Sequence, residues 1–392
     1  MERHEQDLLY LLSCFLNKKT PENRQYDWAA LYPPADINDV ASILNFEIRQ
    51  LDPASCPDGE QLEYYKKSMA LAIQQYEEKA DAFARLEILF AQHNIDYLPV
   101  KGVLLAEHYP VREFRTSGDI DLIVRGESMD SVYALFCAED DIAVHAYNAG
   151  TVHAKVKDAM VEIHCDADVE NAYFSDIFTV ATGEGNRFTL GAYEHLLYVL
   201  CHLLKHMSYR GAGIRMLMDL DVAIRAMEPF DEKKFLMMAE QAGVRRSAEL
   251  LFSLVHYWFD TPVTATEPLA QQPELVDKLA EVFIKGGSFG GEFSSVPVQY
   301  LQSRLADGGR LDAFGKVRVA LSMAFPDRAY LKKLYRYYER HSVLYPVAVC
   351  NRLWDSAFRR RGSSKKALRQ IMSGSESSRL QLEVMKELGI TE

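Results

Sequence analysis

Residues 97–124 read YLPVKGVLLAEHYPVREFRTSGDIDLIV, and this stretch restricts the possible folds more than any other. An apolar strand at 97–100 runs into a Lys101-Gly102 turn, a short helix, a loop and a second strand carrying Asp119 and Asp121. Alternate residues of a strand point to the same face, so both carboxylates aim at one spot. Anions held that close repel unless a cation lies between them. The spacing therefore predicts a divalent metal. Ile120, Leu122, Ile123 and Val124 put the pair on a half-buried strand rather than on a solvated turn.

The rest of the chain sets the context. With 392 residues, 48% of them hydrophobic and 26% charged, it can bury a sizeable core in two or three domains. A formal charge of −12 argues against broad binding to nucleic acid or to an anionic membrane. No long apolar run predicts a membrane span, and the charged start MERHEQDLLYLL is too short in its apolar part for a signal peptide. The six cysteines are scattered without a CxxC pair, which suits reduced thiols in a cytoplasm.

Residues 1–93 carry helical periodicity. Leu8, Leu9, Leu12, Phe15 and Leu16 form one repeat, and Ile37, Val40, Ile43, Leu44, Ile48 and Leu51 form the next, with Pro33 and Pro34 between them. A long helix is expected over 60–93. A helix at 128–139 and strands at 142–147, 152–157 and 159–165 then complete a mixed sheet of four or five strands. After Gly191 helices are expected at 193–206, 215–227, 232–241, 247–259 and 274–285. A Gly/Ser-rich loop at 286–297 precedes further helices at 311–323, 331–345, 347–358 and 378–388.

The chemistry gathers around the aspartates. Thr116-Ser117-Gly118 allows close approach of backbone to ligand, and Lys101 adds a point charge where a helix begins. Glu162 and His164 share a face of the strand at 159–165, so Glu162 can supply a third carboxylate. Carboxylates with phosphate oxygens suit one or two Mg²⁺ ions.

The runs KGVLLAEHYP, SGDIDLIV and VEIHCD resemble the minimal nucleotidyltransferase fold of the DNA polymerase β superfamily. In detail they are similar to the bacterial family of uncharacterised nucleotidyltransferases, which also has Lys-Gly where the wider superfamily has Gly-Ser. The segments EHLLYVLCHLLKHMSYRGAGIRMLMDLDVAI, AFPDRAYLKKLY and PVAVCNRLW extend the resemblance over about residues 80–390. It implies an α+β fold, with a mixed-sheet nucleotidyltransferase core at 80–188. A helical N-terminal extension (1–79) precedes the core, and a large all-α region (189–392), divisible at 286–297, follows it. The resemblance further implies Mg²⁺-dependent transfer of a nucleotidyl group, most often AMP from ATP, to an acceptor hydroxyl. Asp119, Asp121 and Glu162 would be the catalytic and metal-holding residues. Lys101, Gly102, Arg115, Ser117 and Gly118 would contact the nucleotide or its phosphates. A small-molecule acceptor is favoured over protein or tRNA, and the acidity of the chain weighs against tRNA. Two rivals stand beside this reading: a non-catalytic nucleotide-sensing module, and a toxin–antitoxin component that modifies tRNA or protein.

Weaker signals remain. His202 and His206, four apart on one helix, are candidate nucleotide or substrate contacts, as is His164, with Asp219 or Asp221 nearby. They lack the Glu of HExxH, which excludes a zinc protease of that type. Lys205, Arg210 and Arg215 could meet phosphates. The basic cluster at 359–369 reads as a solvated face, the GGSFGG loop as a linker and the tyrosines of 330–345 as helix packing.

Overall fold

The computed structural model describes residues 1–148, 150–209, 211–287, 342–354 and 375–391. Arg210, the basic cluster, the helix at 311–323, and nearly all of the 286–297 loop and the 330–345 segment lie outside them. The chain starts with α1 (Arg3–Leu16), α2 (Trp28–Ile37), α3 (Ala41–Ile48) and α4 (Gly59–Gln92). Pro33 and Pro34 do not separate two helical segments. Both lie inside α2, where burial of Trp28, Leu31 and Ala35 offsets the backbone bonds they forgo. The break comes later, at Asp39, whose φ of 55° turns the chain into α3.

Asp58 caps α4 by accepting from the Gln61 backbone N–H (2.8 Å). This helix of 34 residues, about 50 Å long, serves two cores. Its first half buries Tyr65 and Ala72 among helices, and its second half buries Ala82, Leu86, Leu89 and Phe90 against the sheet.

The sheet is mixed and has seven strands: β1 (Tyr97–Pro99), β2 (Ile120–Val124), β3 (Ile142–Asn148), β4 (Thr151–Val156), β5 (Ala159–His164), β6 (Ala181–Glu184) and β7 (Arg187–Leu190). Their order is β3-β4-β5-β2-β1-β7-β6. β2 runs parallel to β5 and β1 to β7, while the other neighbours are antiparallel. Two short helices, α5 (Gly102–Leu105) and α6 (Met129–Ala138), follow β1 and β2. The sheet thus exceeds the four or five strands read from sequence. β6 and β7 are short and half-exposed, so they carry no buried alternation to read.

Period two divides the chemistry from the packing. Ile120, Leu122 and Val124 of β2, with Val161 and Ile163 of β5, pack with α4 and with Val132 and Phe136 of α6. Asp121, Glu162 and His164 fall on the opposite face. The helices α7 (Ala192–Tyr209), α8 (Ile214–Arg225), α9 (Glu232–Gln241), α10 (Arg245–Phe259) and α11 (Pro273–Gly286) follow, then α12 (Tyr345–Trp354) and α13 (Ser375–Glu387). All of these but α12 share one apolar core with the N-terminal helices, since Leu12, Phe15 and Leu44 cluster with Leu217, Phe252, Phe283 and Val384. Buried Asn38 ties the two groups. Its Oδ1 accepts from the Ile214 backbone N–H (2.9 Å), and its Nδ2 donates to the Ile284 carbonyl (2.7 Å). No described helix is long and apolar enough to cross a membrane.

Candidate active site

The parallel pairing of β2 with β5 sets Asp121 directly beside Glu162. One donor atom each from Asp121, Glu162 and His164 lie within 4.8 Å of one another. His164 Nε2 is 3.5 Å from Asp121 Oδ1 and 3.5 Å from Glu162 Oε2. These are contacts rather than hydrogen bonds, and the buried nitrogen has no closer partner. Glu162 Oε1 lies 3.0 Å from His153 Nδ1. Asp119 precedes β2 and lines the same cavity, of about 580 Å³, between the polar face of the sheet and α7 and α8.

Lys101 carries the sharpest backbone feature. It is Lys101, not the glycine after it, that takes the unusual conformation, with φ 56° and ψ −118°. Such a conformation costs about 1–3 kcal/mol and persists where surroundings over-determine it. Here the buried Lys101 Nζ donates to Asp121 Oδ1 (3.0 Å) and lies 3.6 Å from Asp168 Oδ2. Gly102 is needed for space: a Cβ there would stand 2.4 Å from Arg115 Nη1. At four residues, α5 is too short to accumulate a useful dipole for holding an anion.

The charges are strongly coupled. Burial would raise Asp121, but the Lys101 ammonium and His164 hold it well below the usual carboxylate range. Burial, then Asp121 and Glu162, push Asp119 up to about 6. His164 resists burial and rises to about 9 because Asp121 and Glu162 favour its cation. The site thus pairs an acidic wall with a cationic one, a combination suited to a metal and a polyanion together.

The remaining sequence candidates divide. Ser117, Gly118, His164, His202 and His206 all line the acidic cavity, as do Lys101 and Arg115. His202 and His206 place their Nε2 atoms 3.1 Å apart, and burial, with Lys101 next, drives His202 well below its ordinary value. Neither Asp219 nor Asp221 joins them. Asp219 takes Arg115, through Nε (3.1 Å) and Nη2 (2.8 Å), together with the Tyr109 hydroxyl (2.8 Å). Asp221 takes Arg225 and Thr261. Two of the Arg115 nitrogens are therefore committed to an internal ion pair.

Three residues escaped sequence reasoning. Asp168 accepts from Lys205 and stands near Lys101, and the only hint was its place in CDAD after VEIH. His153 backs Glu162 from β4. Lys79 of α4 donates to the Ser117 carbonyl and to Ser117 Oγ (3.0 Å), a contact between residues 38 apart in sequence. Arg215, weighed as a phosphate contact, lines the cavity and pairs with Asp39 at 3.0 Å.

Two carboxylates and one imidazole within reach of a common point fit a divalent cation. Residues 24–260 match the family described as "Uncharacterised nucleotidyltransferase". That span begins earlier than the expected residue 80, taking in α2 to α4, and stops before AFPDRAYLKKLY and PVAVCNRLW. No curated protein and no solved structure matches the chain. The matched span covers more than half of the sequence and contains the whole acidic cluster, so the chain belongs to the uncharacterised nucleotidyltransferase family.

Proposed function

We propose that the protein transfers a nucleotidyl group, AMP from ATP, to an oxygen of a small-molecule acceptor and releases pyrophosphate. The observation that carries this reading is the in-register pair Asp121 and Glu162, with His164 between their carboxylates, facing a wall of cations in one cavity. Asp119, Asp121 and Glu162 would hold Mg²⁺, and His164 would be available as a nitrogen ligand once the metal displaces its proton. When bound, the metal neutralises phosphate charge and orients the leaving group.

The chain's own groups supply the rest. Lys205 and Arg215, which keep spare N–H donors beside their pairs with Asp168 and Asp39, contact the triphosphate, and His202 and His206 border it. Arg115 backs the Lys101-Gly102 turn from its ion pair with Asp219, a positioning role in place of a free phosphate contact. Glu162 accepts the acceptor's proton and passes it to His153, whose half-exposed side chain reaches solvent. The acceptor oxygen forms its bond to the α-phosphorus as the bond to the bridging oxygen breaks, and pyrophosphate takes the charge. This chemistry belongs in a cytoplasm, where thiols stay reduced. All six cysteines are free, consistent with that compartment.

One observation favours the sensing module as a second reading. Lys101, a built-in cation, already neutralises Asp121. The experiment that separates the two incubates the protein with Mg²⁺, α-labelled ATP and a metabolite extract. The transferase reading expects a labelled product that disappears in the Asp119→Ala/Asp121→Ala double variant. Mg²⁺-dependent ATP binding with no labelled product from any extract would establish the sensor instead.

A further inference from the structure

Behind the Lys101-Gly102 turn lies a second cavity, of about 330 Å³, that the transfer chemistry above leaves unused. Its walls are mostly apolar: Ala80, Phe83 and Ala84 come from α4, and Val103 and Leu104 from α5. Alanines at 80 and 84 stand one helical turn apart, so the helix surface is hollow where larger side chains would fill it.

One cation stands in this lining without a carboxylate. Lys79 donates to both oxygens of Ser117 and has no ion-pair partner among the described residues. The other nearby cations are already neutralised: Arg115 by Asp219, Arg215 by Asp39 and Arg187 by Glu87. An ammonium has three N–H donors, and Ser117 uses two. A charge left in an apolar wall is costly unless an anion joins it. In keeping with this, burial, then Arg115 and Arg215, bring Lys79 down to about 8.

The second cavity also adjoins the acids. Ser117 Oγ receives from Lys79 and donates to the Asp119 carbonyl (3.0 Å), so Lys79 is two hydrogen bonds from the acidic strand. Arg115 and Ser117 line both cavities. A nucleobase is a poor occupant, since it has no anion for Lys79.

We propose that this cavity binds the acceptor, a compact organic molecule with a ring-sized apolar body and a carboxylate or phosphate that pairs with Lys79. The assignment rests on the transferase reading. The anionic end and, beside it, the hydroxyl that takes the nucleotidyl group lie at the Ser117 rim shared with the acidic cavity, and the apolar body lies between α4 and α5.

The test uses the full chain and para-trifluoromethylbenzoate as probe, followed by fluorine NMR without nucleotide. Saturable binding is expected, with the uncharged amide analogue about tenfold or more weaker, as loss of a charge-assisted hydrogen bond requires. Lys79→Met should reduce benzoate binding to the level of the amide. Ala84→Trp, at an exposed helix position that tolerates a large residue, should abolish binding of both. Mn²⁺ seated at Asp121 and Glu162 should speed the relaxation of the bound fluorine, an effect absent in Asp121→Asn. No binding, or binding that ignores both cavity substitutions, overturns the site. Mn²⁺ that binds without relaxing the probe overturns its role as acceptor site. Mn²⁺ that fails to bind the acidic cluster strikes the transferase reading and the acceptor role with it, while benzoate binding reports on the cavity separately.

Discussion

Removing the carboxylate of Asp219 tests how the loop before the acidic strand is held. Arg115 and Asp219 are 9% and 4% exposed, and three hydrogen bonds converge on the Asp219 carboxylate. Asp219→Ala leaves a buried guanidinium without its counter-charge, which costs about 3–5 kcal/mol. It also strands the buried Tyr109 hydroxyl, worth about 1–3 kcal/mol. The two losses share one partner and do not add fully, so about 4–6 kcal/mol is expected. At about 1.2 °C per kcal/mol for a chain of 392 residues, the melting temperature should drop by roughly 5–7 °C. Urea unfolding followed by tryptophan fluorescence gives the free energy, and scanning calorimetry gives the melting temperature. An apolar pair of similar volume needs no counter-charge, so Arg115→Met/Asp219→Leu should recover most of the loss. A melting temperature within about 2 °C of wild type for Asp219→Ala, or a double variant no more stable than the single, would refute the argument.

Three further outcomes follow from local geometry. With Mn²⁺ as the probe ion, pulsed electron paramagnetic resonance should detect a directly bound nitrogen that is lost in His164→Gln. Retention of that coupling would remove His164 from the ligand set. Gly102→Ala should lower stability by about 1–3 kcal/mol, because its Cβ meets Arg115 Nη1 at 2.4 Å and Asp219 holds that guanidinium in place. Urea unfolding unchanged from wild type would show that the turn can move aside. Glu47 is fully buried, its Oε1 has no partner, and burial raises it to about 8. A carboxyl raised in the folded state stabilises while protonated, and that stability is lost as pH climbs from its unfolded value toward 8. Glu47→Gln should therefore raise the melting temperature clearly at about pH 8 and little at about pH 5, and equal shifts at both would contradict the assignment.

The Asp-x-Asp strand was legible because its chemistry and its packing alternate within five residues. Ile120, Leu122 and Val124 announce a buried face, so Asp119 and Asp121 must share the other. Glu162 and His164 were legible for the same reason on β5. Their position beside Asp121 was not, since parallel register depends on how the intervening helix and hairpin pack. The prolines of α2 misled because local propensity yields to the burial of Trp28 and Leu31. Asp219, Lys79 and Asp168 each meet the site across 37 or more residues of sequence, and no periodicity encodes contacts of that range.

Short-range physics, carried by spacing and side-chain type, was thus enough to determine an α+β chain with acids on the polar faces of two strands and helices before and after the sheet. The tertiary structure alone decided that Lys101 bears the backbone strain, that an ion pair to α8 occupies Arg115, and that Lys79 stands beside a second cavity. The reason is that a charge is assigned its partner only when burial removes water as the alternative. Which groups lose their water together is a property of the packed molecule.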